Sequence, residues 1–100
     1  MHIITKKRLK DFYEKHKDSN GPLLAWFRII NINRYGNLAD LRNTFPSADL
    51  VGKCIVFNIG GNKYRLITVI HFNREKVFIR NILTHKAYNN GMWKKGCGND

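Results

Sequence analysis

With 100 residues the chain has room for one hydrophobic core but not two, so every functional residue belongs on or around one compact domain. Hydrophobic side chains make up 43% of it and recur in patterned segments, which excludes the disordered class. Eighteen Lys and Arg against seven Asp and Glu leave a formal net charge of +11, so the expected partners are polyanions: nucleic acid first, an acidic protein or an anionic membrane after it.

From the N-terminus, residues 2–5 are rich in β-branched side chains (Ile3, Ile4, Thr5) and predict a short strand, after which the chain turns polar. That leaves no secretory leader and no membrane-spanning run, so the expectation is a cytoplasmic protein, neither exported nor embedded. Thr5 is a candidate N-cap for a helix over 6–17, where Leu9, Phe12, Tyr13 and His16 fall on one face. Asp18-Ser19-Asn20-Gly21-Pro22 interrupts it. Pro22 suits the first position of a second helix, whose stripe of Leu23, Trp26, Phe27 and Ile30 is widened by Leu24, Ile29 and Ile32. The two helices predict a hairpin. Residues 37–42 suggest one more helical turn and 45–49 an ordered loop.

From Lys53 the period changes to two, giving three strands over 53–59, 63–73 and 76–83, with turns centred on Gly60-Gly61 and Arg74-Glu75. Two-residue turns set Ile59 opposite Asn62, Val56 opposite Arg65, Phe72 opposite Val77 and Val69 opposite Arg80. By alternation, Lys63, Arg65 and Arg80 then share one face with Val56, Ile67, Val69, Phe78 and Ile82. Ile55, Phe57, Ile59, Tyr64, Leu66, Ile70, Val77 and Ile79 form the opposite, apolar face. The expected fold class is α+β: a helix hairpin packed on a small antiparallel sheet. The mixed face reads as a binding concavity; the plainer reading has Arg65 and Arg80 snorkelling, or paired with Asp49 or Glu75.

Beyond the last strand, Thr84-His85-Lys86-Ala87-Tyr88-Asn89 sets an imidazole and a phenol near Arg80. Arginine stays protonated, so the cations Lys63, Arg65, Arg80 and Lys86 would bind phosphate and neutralise developing charge, leaving proton transfer to His85 or Tyr88. Such a set suits metal-free RNA cleavage, in which the ribose 2′-hydroxyl attacks the adjacent phosphate and leaves a 2′,3′-cyclic phosphate. DNA lacks that hydroxyl and is expected to resist.

Other chemistry finds little support. The carboxylates are scattered, and His2, His16, His71 and His85 lack ligand spacing, so no metal and no cofactor are expected. Cys54 and Cys97 form no Cys-x-x-Cys pair. Neither a disulfide framework nor a zinc site is therefore expected, and Cys54 reads as buried filler in a reducing compartment. The competing reading is a non-catalytic RNA- or ribosome-binding module, and a third is capture of an acidic protein.

Phe57-Asn58-Ile59-Gly60-Gly61-Asn62-Lys63-Tyr64-Arg65-Leu66-Ile67, then Val77-Phe78-Ile79-Arg80, Thr84-His85 and the earlier Phe45-Pro46-Ser47-Ala48-Asp49 together resemble the HigB toxins of the RelE superfamily. The resemblance spans nearly the whole chain, in order. It implies a RelE-like fold, an endoribonuclease that cuts mRNA on the translating ribosome, and a cognate helix-turn-helix antitoxin of the HigA kind. By motif position it makes Lys63, Arg65 and Arg80 the phosphate-contacting cations, and His85 and Tyr88 the candidates for proton transfer. The chain departs from the Thr-His-x-Glu-Tyr-Asp pattern by carrying Ala87 and Asn89 where the family has acids, so any role for those acids is absent. The segment over 91–100 mixes glycines, which favour a flexible basic tail, with Trp93, which favours an anchor on antitoxin or substrate.

Overall fold

The computed structural model describes residues 1–98. In chain order its elements are β1 (His2–Ile4), α1 (Lys7–Lys15), α2 (Asn20–Ile32), α3 (Leu38–Thr44), β2 (Asp49–Val51), β3 (Cys54–Ile59), β4 (Tyr64–His71), β5 (Lys76–Thr84) and α4 (His85–Asn89). Turns of 3₁₀ helix occupy Lys17–Ser19, Phe72–Arg74 and Met92–Cys97. The strands form one sheet in the order β1-β5-β4-β3-β2. The chain thus has the expected α+β architecture, with β1 parallel to β5 and every other pairing antiparallel.

Several helix termini are settled in ways that differ from expectation. Thr5 does not cap α1. It adopts a left-handed φ of 67°, and its Oγ1 both donates to the Ile79 carbonyl at 3.0 Å and accepts from the Ile79 N–H at 3.1 Å, stitching the end of β1 to β5. Pro22 is the third rather than the first residue of α2, a position equally free of intrahelical N–H bonds. At the other end of α2 the Met1 ammonium donates to the carbonyls of Ile30 (2.9 Å) and Asn33 (2.6 Å), where the helix leaves acceptors unpaired. Asn37 caps α3, its side chain accepting from the Asp40 N–H at 2.9 Å.

The core lies between the helices and one sheet face. Leu23, Trp26 and Ile30 of α2, Leu9 of α1 and Leu41 of α3 pack on Ile55, Phe57, Ile59, Tyr64, Leu66, Val77 and Ile79. Phe57 sits at the centre, with Trp26 and Phe45 meeting it edge-on at 5.4 and 5.1 Å. Ile32, expected in the α2 stripe, is 79% exposed.

The strand register differs from the expected one by two residues at each hairpin. Ile59 pairs with Tyr64 and His71 with Lys76, so both connections are four residues long. An even shift preserves parity, which is why the face assignment survives. A bulge then intervenes in β5: pairing steps from Thr68–Ile79 to Ile67–Asn81, leaving Arg80 without a cross-strand partner. Beyond it parity reverses, so Ile82, expected on the basic face, packs with the helix-side core, while Leu83 joins the other face.

Candidate functional site

The sheet face away from α1 and α2 carries a smaller cluster: Cys54 and Val56 of β3, Ile67 of β4, and Trp93 and Cys97 from the last 3₁₀ turn, flanked by Val51, Val69, Leu83 and Tyr88. Sequence parity places Arg65 and Arg80 on this face, and the bulge adjusts only how Arg80 leaves it.

Arg65 is held in the floor. It is 9% exposed, its Nη1 donates to the carbonyls of Asn62 (2.9 Å) and Tyr64 (3.3 Å), and its guanidinium carbon lies 5.0 Å from the centroid of the Tyr88 ring. Tyr88 in turn stacks on Trp93 at 5.0 Å with 17° between the planes, and the Trp93 indole N–H donates to the Tyr88 carbonyl at 2.9 Å. Arg65, Tyr88 and Trp93 thus form one connected stack, a cation–π contact continued by an aromatic one.

Arg80 meets the same C-terminal turn from the bulge. A Cβ at Gly96 would fall 2.2 Å from its Nη2 and 3.0 Å from its Cζ, so the guanidinium lies against glycine backbone where no side chain fits. Its Nε is buried without an acceptor, while Arg8 reaches the Arg80 carbonyl from α1 at 2.5 Å. Among the described residues neither Arg65 nor Arg80 has a carboxylate partner. Asp49 instead approaches Arg42 at 3.9 Å, and Glu75 pairs with Arg34.

His85 opens α4. The helix is short but capped, with Thr84 Oγ1 accepting from the Ala87 N–H at 3.2 Å, and it is joined to the β3–β4 loop by the His85 N–H donating to the Lys63 carbonyl at 3.2 Å. Both His85 and its neighbour Lys86 are exposed. Among the described residues no group of three His, Cys, Asp or Glu side chains is arranged to hold a metal ion, and no helix is long and apolar enough to cross a membrane.

Two expectations need correction. Lys63 does not join the arginines. It lies in the four-residue loop, where strand alternation does not govern direction, and its ammonium pairs with Asp18 of the first 3₁₀ turn, which also accepts from the Tyr64 hydroxyl at 2.5 Å. The Lys63 and Tyr64 hydrogen bonds hold the Asp18 carboxyl below the usual carboxylate range, and Asp18 raises both the Lys63 ammonium and the Tyr64 phenol above theirs. The cysteines, second, are not unpaired filler: Cys54 and Cys97 form a disulfide across 43 residues with Cα atoms 5.3 Å apart. The Lys53 N–H donates to the Cys97 carbonyl at 2.9 Å beside it. Cys54 shares the parity of Val56, so its direction was readable; its partner, beyond the last strand, was not.

Sequence reasoning reads Trp93 as an anchor on antitoxin or substrate; what it misses is that the C-terminal turn docks on the chain's own sheet. Trp93 and Cys97 are 8% and 1% exposed, so an aromatic anchor and a covalent tie decide this segment's structure in spite of its glycines. Residues 99 and 100 of the expected tail lie outside the described residues.

Residues 19–91 match the family described as HigB toxin, RelE-like toxic component of a toxin–antitoxin system. The chain is 37% identical over 91 residues to the mRNA interferase toxin HigB of Escherichia coli strain K12, covering 88% of each chain, and equally so to the mRNA interferase HigB of Shigella flexneri. A second HigB, from Escherichia coli O6:H1, is 29% identical over the same length. The chain belongs to the HigB toxin family, the RelE-like toxic component of toxin–antitoxin systems.

Proposed function

We propose that this toxin is an endoribonuclease that cuts mRNA on the translating ribosome, without a metal ion, by promoting attack of a ribose 2′-hydroxyl on the adjacent phosphate. The observation that carries the reading is a pair of arginines, Arg65 and Arg80, that leave one sheet face with no carboxylate among the described residues to neutralise them, next to the helix that begins with His85. Their relatives' designation as mRNA interferases supports it.

In this reading the arginines bind the scissile phosphate and stabilise the charge that builds on its oxygens, and exposed Lys86 extends the cationic track. His85 moves the proton. Its side chain is exposed at the helix start, whereas Tyr88 is engaged by Arg65 and Trp93, which suits a platform better than a proton carrier. Lys63, engaged by Asp18, steers RNA at most. The antitoxin is a helix-turn-helix protein of the HigA kind whose acidic segment neutralises this face, and the compartment is the cytoplasm, where ribosomes and message are.

The test is to incubate the purified, reduced toxin with translating ribosomes, defined mRNA and a chelator, and to map the ends of the fragments. Upstream fragments ending in 2′,3′-cyclic phosphate are expected. Translational arrest with intact mRNA would instead favour a non-catalytic ribosome-binding module, the reading consistent with Ala87 and Asn89 replacing acids.

A further inference from the structure

Of the two arginines assigned to phosphate, Arg80 is met directly by a short C-terminal segment, and Arg65 lies under a ring that the same segment braces. Gly96 lies against the Arg80 guanidinium, whereas Arg65, 9% exposed, sits against the Tyr88 ring of α4, on which Trp93 stacks. The covering turn begins just beyond residue 91, where the match to the family ends. It is bracketed by Gly91 and Gly98 at φ of 75° and 73°, backbone points that glycine adopts without strain.

That turn is held down by an aromatic anchor and one covalent bond. A six-residue 3₁₀ helix has little intrinsic stability. The Trp93 indole hydrogen bond is made to Tyr88, five residues away, so it ties the turn to its own neighbour rather than to the sheet. The segment also carries exposed Lys94 and Lys95 toward a face whose arginines have no carboxylate partner among the described residues, and like charges favour separation. Against this stand the burial of Trp93, the Lys53–Cys97 backbone bond and the Cys54–Cys97 disulfide.

We propose that the Cys54–Cys97 disulfide is a redox latch: oxidised, it clamps the C-terminal turn against the Arg80 guanidinium and onto the Tyr88 ring, and reduction by a dithiol releases the turn and opens Arg80 to phosphate. The inference rests on reading those arginines as the phosphate site. The exchange balances as follows. One thiolate of the dithiol attacks one cysteine sulfur and expels the other cysteine as a thiolate. The second thiol then attacks the mixed disulfide. The reductant closes to its own disulfide, two electrons pass to the protein, and the cysteines take up protons to become two thiols. Both sulfurs are buried, so the reductant reaches them when the turn lifts at its glycine ends.

The experiment compares the protein oxidised with diamide and the same protein reduced with dithiothreitol, each state verified by the mass added on alkylation. Exposure of the arginines is read by phenylglyoxal labelling and peptide mass spectrometry. Labelling of Arg80 is expected to be roughly tenfold faster after reduction, as for a tail that passes from mostly closed to mostly open, while Arg65, still against Tyr88, changes less. A Cys54→Ser/Cys97→Ser variant should label at the fast rate without reductant. Equal labelling of Arg80 in both states, or failure of the two cysteines to join under diamide, overturns the latch whatever RNA does. Cleavage is followed in parallel: faster labelling with no RNA cut in either state supports the latch and counts against the nuclease assignment alone.

Discussion

The Arg65 guanidinium carbon lies 5.0 Å from the centroid of the Tyr88 ring, an interaction between β4, which carries a cation proposed to bind phosphate, and α4, which carries both candidate proton carriers. Because the ring rather than the hydroxyl makes this contact, the two candidate proton carriers separate experimentally. Tyr88→Phe keeps the platform and should leave the rate of cleavage by the reduced protein close to wild type. His85→Ala should slow it by about 10²–10⁴-fold, the usual worth of a positioned acid or base. Single-turnover cleavage on programmed ribosomes reads both; the opposite ranking would transfer the proton to Tyr88.

A side chain at Gly96 would meet the Arg80 guanidinium, the far end of a flexible side chain. The turn is tied on one side by the disulfide and the Lys53–Cys97 hydrogen bond, so the arginine is the partner that yields. Gly96→Ala should therefore raise phenylglyoxal labelling of Arg80 in the oxidised protein while lowering global stability by no more than about 1 kcal/mol. Unchanged labelling would mean that the turn moved instead.

Phe57 joins the layers, being 1% exposed with Trp26 and Phe45 edge-on to it. Truncation to alanine removes those contacts and leaves a cavity, at a cost of about 3–5 kcal/mol. Urea unfolding of Phe57→Ala followed by tryptophan fluorescence measures it. A loss below 1 kcal/mol would contradict the central place given to this side chain.

The Asp18–Lys63–Tyr64 cluster links the first 3₁₀ turn to the β3–β4 loop, and its pH dependence has a definite sign. The carboxyl of Asp18 is lowered in the folded state, so its contribution is present above the ordinary value of 3.8 and fades as pH falls through the lower folded value. Lys63 and Tyr64 are raised, so their contribution is present below 10.5 and 10.0 and is lost as pH rises through the higher folded values. The difference in thermal midpoint between wild type and Asp18→Asn should therefore be a plateau between these limits that shrinks at both ends. A difference that persists unchanged well below 3.8 would exclude the cluster as its source.

Much of this site was legible because alternation survives errors of an even number of residues. Both hairpin loops are two residues longer than their glycine and charge signals suggested, yet Arg65 and Arg80 still fall on the expected face. An odd error does not survive, and the bulge at Arg80 sends Ile82 to the helix side for that reason. Lys63 was misplaced because a loop residue follows the nearest counter-charge, here Asp18, rather than strand parity. The Cys54–Cys97 pairing and the docking of Trp93 depend on where a segment beyond the last strand folds back, a non-local fact carried by no local pattern. Similarly, β2 is three residues long and owes its form to pairing with β3.

The central claim is that Arg65 and Arg80 together neutralise the phosphate being cut. It is tested most directly by single-turnover cleavage of ribosome-bound mRNA with reduced wild type, Arg65→Ala, Arg80→Ala and the double variant. Each single loss should slow cleavage by roughly 10²–10³-fold, and the double variant should leave no detectable 2′,3′-cyclic phosphate ends. A folded double variant that cuts at the wild-type rate would contradict the claim outright.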